Sequence, residues 1–302
     1  MNVQSMLKRV LVKTINYFKL HGGVGLLSAL YGKIRMARSE CFAAHAGMLA
    51  NLKGLEIGGP SRIFSAKGVF PVYPLAGALD NVTFAAQTIW EGEVSLGRTF
   101  VYDRNRPPGR QFILDSTFLG EIEDESYDFL LSSHVLEHLA NPLRGLKEWK
   151  RVVRENGLLV IIVPHKDGTF DHLRPVTAID HMIDDYEQCV DEDDVTHADE
   201  VLSLHDLNHD DGTDSDKFEE RIRNNFKERS MHHHVFATRT LAQLIDYAGL
   251  QILSLETIRP CHIVSIAKKM SPASSVNNKP YLDMAAHVYA KSQFRTDRTG
   301  TR

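Results

Sequence analysis

The sequence predicts an α/β fold, a doubly wound and mostly parallel sheet covered by helices. Three observations carry this. A short apolar run ends in an acid and breaks into Gly-Gly-Pro at Leu55-Glu56-Ile57-Gly58-Gly59-Pro60-Ser61, the way such a domain stops a strand and lays bare backbone against a ligand. Further strand-like runs end in acids or histidines, with helical stretches between them. Leu158 to Val163 is almost uninterruptedly apolar and closes on Pro164, as a strand buried on both faces does.

In chain order, Met6, Leu7, Val10, Leu11, Ile15 and Phe18 recur at helical spacing. Met1 to Arg38 holds seven Lys or Arg and no acid. An amphipathic helix is expected there, covering the domain or making a homodimer contact, with a weak contact to an anionic membrane surface through 1–38 as the alternative. Leu55–Ile57 is the first strand. Phe64 to Gly97, rich in Gly, Pro and aromatics, reads as a long irregular piece that lines something. Thr99–Asp103 and Gln111–Asp115 read as strands ending in acids, and Tyr127–Ser133 as a central parallel strand. Asn141 caps a helix that opens on Pro142 and runs to about Val153, with Gly157 as its stop. Thr238–Tyr247 is a helix ended by Gly249, and Gln251–Leu255 and His262–Ala267 are a closing pair of strands. Three regions follow: an N-terminal helical segment 1–50, a domain 51–268 with an insertion 168–230, and a polar tail 269–302 that packs as one helix around Tyr281–Tyr289 and then frays.

Composition narrows the class. The 302 residues are 43% hydrophobic and 25% charged, with a net charge of −4, an ordinary soluble composition without the basic balance of a nucleic-acid binder. Cys41, Cys189 and Cys261 fit neither a disulfide framework nor a zinc spacing, which points to a reducing cytoplasm. No stretch approaches the roughly 18 to 20 apolar residues that span a bilayer. From Asp180 to Glu220 seventeen acids face Lys217 alone, a mixture of solvated loops and groups able to bond polyol hydroxyls.

Ligands of a doubly wound sheet sit at the carboxyl ends of its strands. The residues there are Glu56, Gly58 and Gly59, then Asp103, Asp115 and Ser116, then Ser133 and His134, then His165 and Asp167. No Gly-Lys-Ser/Thr follows the glycines, and the G-x-G-x-x-G spacing is unmet, so neither a P-loop nor a dinucleotide fingerprint is present. A cofactor carrying an amine, ribose hydroxyls and adenine suits this set.

With Asp115-Ser116-Thr117, Tyr127-Asp128-Phe129, Ser132-Ser133-His134-Val135-Leu136-Glu137-His138-Leu139 and Arg151 to Leu159 added in order, the chain from Gly54 to Lys268 resembles the class I S-adenosylmethionine-dependent methyltransferases of the type 11 group. The runs Pro164 to His172 and His232 to Phe236 are similar to uncharacterised bacterial members associated with polysaccharide biosynthesis. The resemblance implies a Rossmann-like sheet of seven strands with an inserted lid after the fifth strand, and S-adenosylmethionine as cofactor. It implies that the turn Gly58, Gly59, Pro60 and Ser61 lies on the methionine moiety and that Glu56 holds its amino group. Asp103 takes the ribose hydroxyls, with Asp80 its competitor, and Asp115 and Ser116 flank the adenine, with Ser133 close by.

Methyl transfer to a hydroxyl needs alignment and removal of a proton, and histidine is the natural base at neutral pH. His165 is the expected base, oriented by Asp167 or Asp171, with His134 at the site and His172, His181 and His205 as secondary candidates. His134-x-x-Glu137-His138 has the letters of an inverted zincin string, but the sheet pattern already accounts for it and no metal is expected; His232, His233 and His234 are the obvious distant partners were one held. The expected activity is O-methylation of a sugar or glycan hydroxyl in the cytoplasm, with no nucleic-acid partner. The alternatives are an N- or small-molecule methyltransferase and a non-catalytic cofactor-binding protein; a nicotinamide oxidoreductase is disfavoured by the turn spacing.

Overall fold

Strand β1 (Lys53–Ile57) runs at the centre of a sheet ordered β5-β6-β2-β1-β7-β8-β10-β9. The other members are β2 (Ala78–Thr83), β5 (Gly97–Phe100), β6 (Gly109–Ile113), β7 (Tyr127–Ser133), β8 (Val153–Pro164), β9 (Gln251–Ile258) and β10 (His262–Lys268), and a hairpin of β3 (Gln87–Thr88) and β4 (Gly92–Glu93) stands apart. The pairs β6–β2, β2–β1, β1–β7 and β7–β8 are parallel, whereas β10 is antiparallel to both β8 and β9. The structure, a computed structural model, describes residues 38–88, 90–210, 215–283 and 285–299. The amphipathic helix expected in the first 37 residues, with its dimer and membrane readings, lies outside them.

The continuous apolar runs serve two cores at once. Because side chains alternate across a strand, Leu130, Leu159, Ile161 and Val163 join one buried cluster, while Phe129, Leu131, Leu158, Val160 and Ile162 join the other. The remaining fold elements hang on this sheet. Short helix α1 (Glu40–His45) precedes it. Helix α2 (Pro142–Val152) starts as expected: the Asn141 side chain accepts from the Arg144 amide at 3.0 Å. Its buried stripe of Leu143, Leu146, Trp149 and Val152 faces the first core, and the Trp149 indole donates to the Ser116 carbonyl at 3.0 Å, fixing the loop after β6.

Two expectations about strands are corrected. The stretch 64–97 contains β2, which fills the position next to β1; its polar Asp80 and Asn81 disguise it. Asp80 accepts from the Tyr127 hydroxyl at 2.8 Å and the Arg110 amide at 2.7 Å, and Asn81 accepts from the Gly59 amide at 2.9 Å and donates to Gln111 at 3.0 Å. The strand expected over Thr99–Asp103 is instead the antiparallel edge strand β5, an eighth strand, which ends at Phe100 and leaves Asp103 in the following loop.

The insertion holds α3 (Ile179–Glu187), α4 (Ala198–Leu204), α5 (Ser215–Arg223) and α6 (Asn225–Glu228). It has a small apolar cluster of its own, Ala198, Val201, Phe218, Ile222 and Met231. Polar bonds do much of the rest. Buried Arg174 pairs with Asp171 at 2.9 Å and Glu200 at 2.8 Å and donates to the His232 and His233 carbonyls. Helix α7 (Thr238–Tyr247) returns the chain to the sheet. The tail forms α8 (Lys279–Leu282), α9 (His287–Lys291) and α10 (Arg295–Thr299) in place of the single helix expected over 281–289. Nor does it fray after that helix: Asp297 in α10 is buried and accepts from the Thr238 amide at 3.1 Å and hydroxyl at 2.6 Å. It supplies the cap that Ala237 cannot give α7.

Candidate active site

A cavity of about 1280 Å³ opens where β1, β2 and β7 end, bounded on its other side by the insertion. Its floor is the turn after β1. Gly58 has φ +72°, and a Cβ there would lie 2.8 Å from Val135 Cγ2. At Gly59 a Cβ would lie 2.3 Å from the Glu56 carboxyl carbon, so only glycine lets the backbone lie over that acid. The Gly59–Pro60 peptide is cis.

Glu56 is fully buried beneath this floor and does not line the cavity. Its carboxylate accepts from the Tyr73 hydroxyl at 2.9 and 2.8 Å and from the Ser61 amide at 3.0 Å. Burial pushes it up to about 8, against the opposing pull of those hydrogen bonds. Glu56 therefore shapes the turn from below; direct contact with an amino group of the cofactor is not what its placement offers.

Gly58, Gly59, Pro60, Ser61, Asp115 and Ser116 all reach the cavity wall, and so do Ser133 and His134. Asp115 Oδ1 accepts from the Thr117 amide and hydroxyl at 2.8 and 2.7 Å, and Oδ2 meets Arg229 at 3.1 Å. Ser133 Oγ is buried with no hydrogen-bond partner among the described residues, an orphaned polar atom that a ligand would satisfy. His134 sits at φ +56° with its Nε2 3.0 Å from His262 Nδ1. Burial, reinforced by His262, lowers its pKa to about 3, so the ring is neutral.

Three expected residues lie elsewhere. Asp103 does not line the cavity; it accepts from the Asn105 amide at 2.8 Å and closes its own loop. Its competitor Asp80 faces Tyr127 and Arg110, also away. The acids on the wall near the end of β2 are Glu91 and Glu93 of the hairpin, and burial raises Glu91 above the usual carboxylate range. His165 is not a base facing an acceptor. It is fully buried, stacks on Phe294 with centroids 4.1 Å apart, accepts from the Asp167 amide at 3.1 Å and stands 3.2 Å from Asp297. Asp167 gives both carboxylate oxygens to Thr296, at 2.8 and 2.6 Å. A tail segment some 130 residues downstream thus converts the expected catalytic pair into an anchor.

The insertion puts other groups on the wall. His232 Nδ1 meets Asp171 Oδ2 at 2.5 Å, and both residues line the cavity with Glu137 and His138. Burial works against charge on His232, but Asp171 outweighs it and holds the imidazole above its ordinary value. On Asp171 burial opposes and the His232 and Arg174 contacts prevail, holding it well below the carboxylate range. Burial pushes Glu137 up to about 7 and drives His138 well below the ordinary imidazole value. The sequence offered the His232-His233-His234 triplet as a pointer, but nothing showing that Asp171 would meet it.

Residues 98–161, from β5 into β8, match the family model described as a methyltransferase domain. No curated protein matches the chain. Solved structures similar to it include a SAM-dependent methyltransferase from Aquifex aeolicus, 12% identical over 79% of this chain and 93% of that one, with a TM-score of 0.42. Another is a SAM-dependent methyltransferase from Methanosarcina mazei, 15% identical over 76% and 97%, with a TM-score of 0.43. A third is the 1,6-didemethyltoxoflavin-N1-methyltransferase of Burkholderia thailandensis with bound S-adenosylhomocysteine, 12% identical over 77% and 78%, with a TM-score of 0.42. The sheet order is that of a Rossmann-like α/β fold, and the segment 98–161 within it is similar to a methyltransferase domain. The bare Gly58–Gly59 turn, the orphaned Ser133 hydroxyl and the Asp115–Ser116 corner would fit S-adenosylmethionine as a cofactor.

Proposed function

We propose that the chain is an S-adenosylmethionine-dependent methyltransferase that methylates a hydroxyl of a sugar or glycan intermediate, in the cytoplasm and in the service of polysaccharide biosynthesis. The observation that carries the reading is the His232–Asp171 pair, 2.5 Å apart, on the wall of the same cavity as the Gly58–Gly59 turn. When bound, the cofactor supplies an electrophilic methyl carbon on sulfur. The protein's part is to hold a weakly nucleophilic hydroxyl in line with that carbon and to take its proton. With Nδ1–H donated to Asp171, His232 keeps its Nε2 lone pair for that proton, and the adjacent carboxylate stabilises the resulting imidazolium. His205, His209 and Arg229 on the same wall supply donors and acceptors suited to a polyol. Among the described residues no helix is long and apolar enough to cross a membrane.

Calorimetric titration with S-adenosylhomocysteine and with NAD, followed by turnover on sugar and amine acceptors, tests the proposal. The thioether binds, NAD does not, and sugar hydroxyls are methylated. His232→Ala keeps the thioether affinity and loses about 10²- to 10⁴-fold in turnover. Methylation of amines alone, or unchanged turnover in the variant, overturns it.

A further inference from the structure

Glu137 presents a problem the transferase reading leaves unsolved. Its side chain is 0% exposed on the cavity wall, and neither carboxylate oxygen has a hydrogen-bond partner among the described residues. A buried carboxylate left this way is costly. What surrounds it is a set of nitrogens prepared to bind something else. His138 Nδ1 meets the Met231 carbonyl at 3.1 Å and His232 Nδ1 meets Asp171 at 2.5 Å. A carbonyl and a carboxylate only accept, so each imidazole presents Nδ1–H to its partner, which leaves Nε2 as the nitrogen that can take a ligand. One ligand atom each from Glu137, His138 and His232 lies within 4.8 Å of the other two, and His138 Nε2 is 3.9 Å from Glu137 Oε1. Ligands about 2.1 Å from a tetrahedral ion stand about 3.4 Å apart, so small side-chain rotations would close the set.

We propose that Glu137, His138 and His232 hold one divalent first-row transition cation, with an open position facing the cavity. Two imidazoles and a carboxylate with an open position is a donor set for an ion that activates an oxygen. Asp171 and the Met231 carbonyl are positioning groups, fixing the tautomers as outer-shell acceptors do. Resting on the hydroxyl-methylation reading, the inference assigns the ion a step. The acceptor hydroxyl coordinates and becomes more acidic, and its proton leaves to water. The oxygen then forms the new bond to the methyl carbon as the carbon–sulfur bond breaks, sulfonium becoming thioether. His232 acts as a ligand in this state and as the base only when no ion is bound.

The test uses full-length protein, stripped with chelator, free of cofactor, and titrated with Co²⁺ while visible ligand-field absorption is followed. Wild type takes up one equivalent at this site. Glu137→Gln and His232→Ala each weaken it at least about tenfold, and Asp171→Asn weakens it about 10- to 100-fold. Of the four other candidate groups among the described residues, the all-histidine one, His181, His197 and His234, is controlled by His181→Ala, which leaves this equivalent in place. Absence of stoichiometric binding overturns the proposal, as does Co²⁺ binding that survives Glu137→Gln and is lost in His181→Ala. If Co²⁺ binds as expected but S-adenosylhomocysteine does not, the transferase reading falls and the cation site stands; if only the thioether binds, the reverse holds.

Discussion

Replacing Glu56 with Gln should flatten the pH dependence of stability. The side chain is fully buried, and burial holds its pKa at about 8 against an ordinary 4.5. Between those values the native chain holds a proton that the unfolded chain has released, so stability falls as pH rises through the window and is fully present below it. At about 1.4 kcal/mol per pH unit, this one group costs the wild type about 3 kcal/mol between pH 5.5 and 8. Gln can take the same bonds. Its carbonyl accepts from the Ser61 amide and its amide stands beside the Tyr73 oxygen, positions now 3.0 and 2.8 Å from the two carboxylate oxygens. Urea unfolding of both proteins at pH 5.5, 7 and 8 checks this, and the difference between them isolates Glu56 because Glu137, also raised, contributes to both. Parallel stability curves would refute the argument.

Three further outcomes are expected. Gly59→Ala drives a methyl group into the Glu56 carboxyl, 2.3 Å from its carbon; titration should show at least about tenfold weaker S-adenosylhomocysteine binding, with about 1–3 kcal/mol of stability lost, and unchanged affinity would count against the turn as cofactor floor. His165→Ala empties a buried site between Phe294 and Asp297 and should cost about 2–4 kcal/mol in denaturation while the folded protein binds the thioether normally; lost turnover at unchanged stability would restore it as a base. Trp149→Phe removes the bond to the Ser116 carbonyl and should cost about 1–2 kcal/mol with weaker cofactor binding, read by denaturation and titration.

The sheet was legible where one residue pattern served one physical purpose. The apolar runs of β7 and β8 are needed because both faces are buried, and Asn141-Pro142 marks a helix start by local chemistry alone. Strand β2 escaped because Asp80 and Asn81 find their partners across the sheet, on Tyr127, Gln111 and the Gly59 backbone, and no local pattern announces such bonds. The site divides in the same way. Gly58, Asp115, Ser116, Ser133 and His134 follow from strand ends and reach the cavity. His165 also stands at a strand end, yet Phe294 and Asp297 arrive from the tail to cover it. Asp171 and His232 meet only because the insertion folds back on itself.

The Arg174 junction gives the two sides of the cavity unequal permanence. The cofactor side is made of strand ends locked between two apolar cores, whereas α4 and α5 of the insertion rest on one small cluster, with Arg174 tying Asp171, Glu200 and the 232–233 backbone together. Such a region can open without melting the sheet. Amide hydrogens of α4 would then exchange with solvent far sooner than those of β1 or β7, and a bulky product could depart through this loosened side while the spent cofactor stays seated.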